Sequence, residues 1–103
     1  MPKYSLASIR EAAINESKII YLGRKVEAEI TNLGYLLSDI RTCIRSLDKS
    51  DFHRTESHTS INMVFDVYRI VCKAHSNKHQ EFYIKLRLTH KRELCVAVGF
   101  FYL

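Results

Sequence analysis

Phe82-Tyr83-Ile84-Lys85-Leu86-Arg87-Leu88-Thr89 alternates apolar and polar side chains without a break. A strand turns successive residues to opposite faces, so Phe82, Ile84, Leu86 and Leu88 share one face and Tyr83, Lys85, Arg87 and Thr89 the other. The first face can enter a core. The second offers a phenol and two cations in a row, with neighbours about 7 Å apart at strand rise. A phenol beside fixed cations can hold a phosphodiester, and the rest of the chain reads as a support for that surface.

The period of two extends outward from this strand. From Phe52 onward the helical period disappears, and four strands are expected at about 52–58, 63–73, 81–90 and 93–101. The link around His75-Ser76-Asn77-Lys78 is polar and turn-like. His90-Lys91-Arg92-Glu93 is short enough for a hairpin. The last strand, Leu94-Cys95-Val96-Ala97-Val98-Gly99-Phe100-Phe101, is apolar on both faces, as a central, doubly covered strand requires.

The first half reads differently. Tyr4 to Asn15 is expected as a helix, with Leu6, Ile9 and Ala13 as its buried stripe; either Ser5 or a Ser8–Glu11 capping box starts it. Lys18-Ile19-Ile20-Tyr21-Leu22 is short, β-branched and ends at Gly23, which suggests a strand. Arg24 to Leu33 is a second helix with Val26, Ile30 and Leu33 inward and Gly34 as a left-handed cap. Ser38 or Asp39 caps a third, with Ile40, Cys43, Ile44 and Leu47 inward, and Asp48-Lys49-Ser50-Asp51 is a turn-rich exit. Helices first and sheet second make an α+β fold in two layers, N-terminal helices packed on a C-terminal antiparallel sheet. With 103 residues, one domain over 1–103 is expected.

The chain carries 16 Lys and Arg against 11 Asp and Glu, a net charge of +5. Residues 1–49 contribute eight basic and six acidic side chains and residues 50–103 eight and five, so neither half dominates. A small basic domain suits a nucleic acid or an acidic protein, and charge alone does not choose. No apolar run approaches the length of a membrane span, and Met1-Pro2-Lys3-Tyr4 opens no signal-peptide core, so a soluble cytoplasmic protein is expected. Cys43, Cys72 and Cys95 are widely spaced, form no C-x-x-C pair and make no metal pattern with the histidines. Three reduced thiols in or near the core are expected.

Taken together, a helical first half, then Ser50-Asp51-Phe52 with a basic residue two later, then Asp66-Val67-Tyr68-Arg69, then Tyr83-Ile84-Lys85 resemble the MqsR family of toxins from type II toxin–antitoxin systems, which share the RelE-like fold. The Leu33-Gly34 step and the Cys43 to Leu47 helix fit the same pattern, and the resemblance spans roughly Leu6 to Phe101. It implies a messenger-RNA endoribonuclease neutralised by a cognate antitoxin. The family's lysine after Ser-Asp-Phe is Arg54 here, still cationic, and its tyrosine in the Tyr-x-Lys strand is Tyr83. Its glutamine before Asp-Val-Tyr-Arg is Phe65, and its lysine near the end of the last strand is matched best by Phe101. With two polar positions replaced by phenylalanine, slower cleavage or an altered sequence preference is expected.

RNA cleaves itself when its 2′-hydroxyl attacks the adjacent phosphorus. A protein supplies a base for the hydroxyl, an acid for the leaving 5′-oxygen and cations for the phosphorane, and needs neither metal nor cofactor. Arg54 suits the last role because its fork holds two phosphate oxygens, but arginine cannot be the base. Tyr83 suits handling a proton or orienting the phosphate. Lys85, Arg87, Arg69 and His53 are the expected RNA contacts. His53 and His58 are both acid–base candidates by residue type, although strict alternation puts them on opposite faces unless a bulge intervenes.

Each of these features has a plainer reading. A Tyr-x-Lys-x-Arg strand is commonly a solvated sheet face. Tyr68 can be a core residue, and Arg69 can pair with Asp66 or Glu81. His75, His79, His90 and Lys91-Arg92 fall in links and are expected in solvent. Two other functions fit the same residues: a catalytically impaired RelE-like protein that binds RNA or an antitoxin, and a plain protein-interaction module.

Overall fold

The computed structural model describes residues 2–32, 34–58, 63–72 and 80–100, and of residues 58, 71, 72, 80–82 and 98–100 the backbone alone. Three helices, α1 (Leu6–Ala12), α2 (Arg24–Asn32) and α3 (Leu37–Arg45), accompany strands β1 (Ile19–Tyr21), β2 (Phe52–His58), β3 (Met63–Cys72), β4 (Gln80–Leu88) and β5 (Leu94–Phe100). The strands form one sheet in the order β1-β5-β4-β3-β2. β2 to β5 are antiparallel to their neighbours, and β1 adds a parallel fifth strand beside β5, with Ile19 opposite Leu94. The expected architecture is therefore present, enlarged by a strand from the helical half. That strand places β5 inside the sheet, but the helices cover only one of its faces: Leu94 and Val96 enter their cluster while Cys95 and Ala97 lie on the opposite side, which corrects the expectation of a doubly covered strand.

The helices lie on one face of the sheet. Ile9 and Ala12 of α1, Ile30 of α2 and Ile40, Cys43 and Ile44 of α3 join Tyr68, Ile70, Ile84, Leu86, Leu94 and Val96 in a single buried cluster. The alternation read in β4 holds at Ile84 and Leu86, which are fully buried, and at Leu88, which packs against the cluster. Phe82 belongs to the same expected stripe, but its side chain lies outside the described residues, as do Leu33, His75, His79 and Phe101.

Local signals explain the element ends. Ser5 caps α1, its side chain accepting from the Ser8 N–H. Gly34 takes φ 82° after α2, a left-handed turn open to glycine at no steric cost. The cap of α3 lies two or three residues before its expected position at Ser38 or Asp39. Leu36 is the capping residue, and Asp39, a turn inside, accepts the Leu36 N–H at 2.8 Å. The aspartate serves the helix start from the third position, where it also meets the positive end of the dipole. The β4–β5 hairpin turns through Arg92 at φ 63°, held by Thr89 N–H to Glu93 O at 2.9 Å and Arg92 N–H to Thr89 O at 3.0 Å. His90, Lys91 and Arg92 are exposed, as their place in a link implied.

Cys43 is disulfide-bonded, which corrects the expectation of three reduced thiols. It points from α3 into the buried cluster, and Cys95 is a free, buried cysteine.

Asp66 ties the N-terminus to the sheet. This fully buried carboxylate accepts the backbone N–H groups of Lys3 at 2.9 Å and Tyr4 at 2.7 Å and the Thr55 hydroxyl at 2.8 Å. Tyr4 adds a bond from its hydroxyl to the Val64 carbonyl at 2.8 Å. The segment before α1 thereby crosses β3 on the helix side and leaves the opposite face to the strand residues.

Candidate nucleic-acid interface

The face away from the helices collects the cations. β2 pairs Arg54 with Val67 and Glu56 with Phe65; β3 pairs Val67 with Lys85 and Arg69 with Tyr83; β4 pairs Lys85 with Ala97 and Arg87 with Cys95. One row across the sheet therefore runs Arg54, Val67, Lys85, Ala97. Strand alternation carries Glu56, Phe65, Arg87 and Cys95 to the same face, and likewise Arg69 and Tyr83. All six residues expected from the sequence, Arg54, Tyr83, Lys85, Arg87, Arg69 and His53, converge here.

A bulge explains how His53 and Arg54 both arrive. Phe52 pairs with Tyr68, but Arg54 already pairs with Val67, so His53 is an extra residue in β2. Phe52 stays on the core side, its ring meeting Tyr68 edge-on at 5.6 Å and 69°. His53 and Arg54 then both turn outward, and the His53 ring lies 4.8 Å from that of Tyr83 at 34°. The side chain of His58, the other acid–base candidate, lies outside the described residues.

The floor of this face is apolar. Phe65, Val67 and Cys95 are buried yet belong to no part of the helix-side cluster. Tyr83, Lys85 and Arg87 are half-buried around them, an arrangement in which long side chains lay their stems on apolar ground and keep their charges outside. Phe65, which stands where the resemblance places a glutamine, is part of that floor at 3% exposure, and its phenyl ring has no amide to donate or accept.

Glu56 has no counterpart among the expected site residues. Its Oε1 accepts from Lys85 Nζ at 2.9 Å and its Oε2 from Arg54 Nη2 at 3.1 Å. The Lys85 hydrogen bond, aided by the charges of Lys85 and Arg54 and opposed by desolvation, holds its carboxyl below the ordinary value of 4.5. The signal that could have found it is simple: residues 54 and 56 are two apart on one strand, so whatever faces Arg54 outward faces Glu56 outward.

The plainer readings divide. Tyr68 is a core residue, 0% exposed. Asp66, offered as a partner for Arg69, sits on the other face with its oxygens taken by Lys3, Tyr4 and Thr55, while Arg69 is exposed. Among the described residues no three His, Cys, Asp or Glu side chains converge as metal ligands, and no helix is long and apolar enough to cross a membrane.

Comparison with protein families matches residues 1–100 to the family described as motility quorum-sensing regulator, toxin of MqsA. No curated protein matches the chain.

Proposed function

The chain belongs to the MqsR toxin family, and on that premise we propose that it is an endoribonuclease that cleaves single-stranded messenger RNA in the cytoplasm, without metal or cofactor, and is neutralised by a cognate antitoxin. One observation carries the reading: Arg54 and Lys85 stand in one row on the open face of the sheet, with Tyr83 and His53 in ring contact beside them. An Arg fork and an ammonium can share one phosphate between them, and the aromatic pair offers a stacking surface for a base beside it. Arg54 stabilises the phosphorane. Tyr83 orients the scissile phosphate or handles a proton. Lys85, Arg87 and Arg69 grip the backbone, and His53 adds a base or phosphate contact.

The attack of a 2′-hydroxyl on its own phosphate supplies the nucleophile from the substrate, so the protein need only position, neutralise and move protons. Purified protein should cut single-stranded RNA in EDTA and leave 2′,3′-cyclic phosphate ends. Arg54→Ala should lower turnover by about 10²–10³, the scale of removing one charge-stabilising donor. Lys85→Ala should mainly weaken RNA binding and flatten its salt dependence by about one unit of slope.

Phe65 favours a second reading. A buried phenyl ring in the middle of the face cannot make the polar contact that the family's glutamine makes, which fits a protein that holds RNA or an antitoxin without turnover. If the purified protein cuts no RNA, and Arg54→Ala and Tyr83→Phe leave its effect on growth unchanged, that binding-only reading replaces the first.

A further inference from the structure

Beside the row that aligns Arg54 with Lys85, the side chain of Glu56 bridges the two cations. A surface that only gripped RNA would lose affinity from a carboxylate at its centre, because each phosphate repels it and two of the cations are partly neutralised by it. Yet Glu56 is fixed there by one hydrogen bond to each cation, at 2.9 and 3.1 Å.

We propose that Glu56 is the general base of this site, taking the proton of the attacking 2′-hydroxyl, and that phosphate binding activates it by drawing Arg54 and Lys85 off its carboxylate. The proposal rests on the ribonuclease reading above and deepens it. Among the described side chains, the ionisable groups on the face of Glu56 are His53 and Arg54 on its own strand, Arg69 on β3, Tyr83, Lys85 and Arg87 on β4, and the Cys95 thiol on β5. Among the described side chains of this face Glu56 is the carboxylate; the arginines cannot accept a proton, and Lys85 is an ammonium that donates.

With both cations on it, the carboxylate is a weak base, since their attraction favours its charged form. A phosphodiester seated on the Arg54 fork and the Lys85 ammonium reverses both influences. The cations turn part of their charge to the phosphate, and a second negative group comes close, so the carboxylate binds a proton more readily once substrate is present. The base is thus weak in the free protein and stronger in the complex. In the step itself, a Glu56 oxygen takes the 2′-hydroxyl proton as the O2′–P bond forms. The P–O5′ bond breaks and the 5′-oxygen takes a proton from water at the open face. Glu56 then returns its proton to solvent. The products are a 2′,3′-cyclic phosphate and a 5′-hydroxyl, with no net consumption of water.

The test compares wild type with Glu56→Gln and Glu56→Asp on a short single-stranded RNA, and measures binding with an all-2′-deoxy oligonucleotide of the same sequence. Glu56→Gln should lower kcat by about 10²–10⁴, while the deoxy oligonucleotide binds as tightly as before or tighter. Wild type should show an acidic limb in both pH profiles, at higher pH for kcat than for kcat/KM, because the first reports the complex and the second the free protein. Glu56→Gln should abolish both limbs, and Glu56→Asp, which keeps a carboxylate, should retain them at reduced rate. A Glu56→Gln protein that cuts within a few-fold of wild type, or faster, makes Glu56 a counter-ion only and overturns the proposal while leaving the ribonuclease reading intact. Wild type that cuts no RNA overturns both.

Discussion

Asp66 and Tyr68 sit two residues apart on the core face of β3, and both carry polar groups that the fold buries completely. Asp66 is served by two backbone N–H groups and a hydroxyl. The Tyr68 hydroxyl has no partner among the described residues. Their substitutions should therefore differ in sign. Asp66→Ala leaves the Lys3 and Tyr4 N–H groups without their acceptor and frees the N-terminal segment, a loss of about 3 kcal/mol or more. Tyr68→Phe keeps the ring and its edge contact with Phe52 and removes a hydroxyl that burial has stripped of water, so it should be neutral or stabilising by up to about 1 kcal/mol. Urea midpoints of the two variants check this, and equal destabilisation would sink it. The sequence announced neither behaviour. Asp-Val-Tyr-Arg marks a strand, but the groups that satisfy Asp66 lie up to 63 residues away and no local pattern points to them. Tyr83, Lys85 and Arg87 were legible because alternation alone fixes their side of a strand, whereas Arg54 was legible only through the resemblance, since strict alternation would put it on the side of Phe52. Glu56 follows Arg54 by two residues and so shares its side, but a carboxylate does not mark a phosphate-binding face until its neighbours are seen.

At the scale of elements, the strands of the second half fall within a residue or two of their expected bounds, since apolar alternation and the polar links mark them directly. Two features were hidden. The bulge at His53 needs one more residue in β2 than in its partner, and a single strand cannot reveal a mismatch with another. The parallel pairing of β1 with β5 joins segments about 75 residues apart through backbone bonds that favour no particular side chain. Within β4 the expected consequence of the alternation is asymmetric. Leu86 is fully buried against the helices, so Leu86→Ala should cost about 2–5 kcal/mol through lost burial and the cavity left behind. Lys85, its neighbour on the open face, should tolerate alanine within about 1 kcal/mol, the worth of a partly exposed ion pair. Thermal melts of the two variants check the contrast. Similar losses at both positions would mean that the faces of β4 are reversed.

The whole molecule sets an acidic and an alkaline limit to its stability, and the two act at opposite faces. On the open face, Glu56 is held below its ordinary 4.5 by Lys85 and then Arg54, so its contribution is complete above that value and fades as pH falls through the lower folded value. The pair is partly exposed, and the loss should be small and confined to the site. The helix side behaves differently. Burial is the first cause that raises the phenols of Tyr4, Tyr21, Tyr35 and Tyr68, and Tyr21 is pushed up to about 12 by burial and then by the charges of Glu27, Glu16 and Asp39. Tyr35 and Tyr68 are in the core cluster, and Tyr4 and Tyr21 pack against it. A raised phenol favours the protonated form in the fold. Its contribution is therefore complete below pH 10 and is lost as pH rises from 10.0 towards about 12. Wild type should lose stability steeply across that interval, because the ionising groups join the helices to the sheet. Tyr21→Phe removes a phenol that burial pushes up to about 12 and a hydroxyl that has no partner among the described residues. It should match wild type at pH 7 and fall less between pH 10 and 12, read as urea midpoints at each pH. Lysine titration affects both proteins alike, so the difference between them isolates the phenol. Parallel decline in the two would show that burial of Tyr21 does not set the alkaline limit.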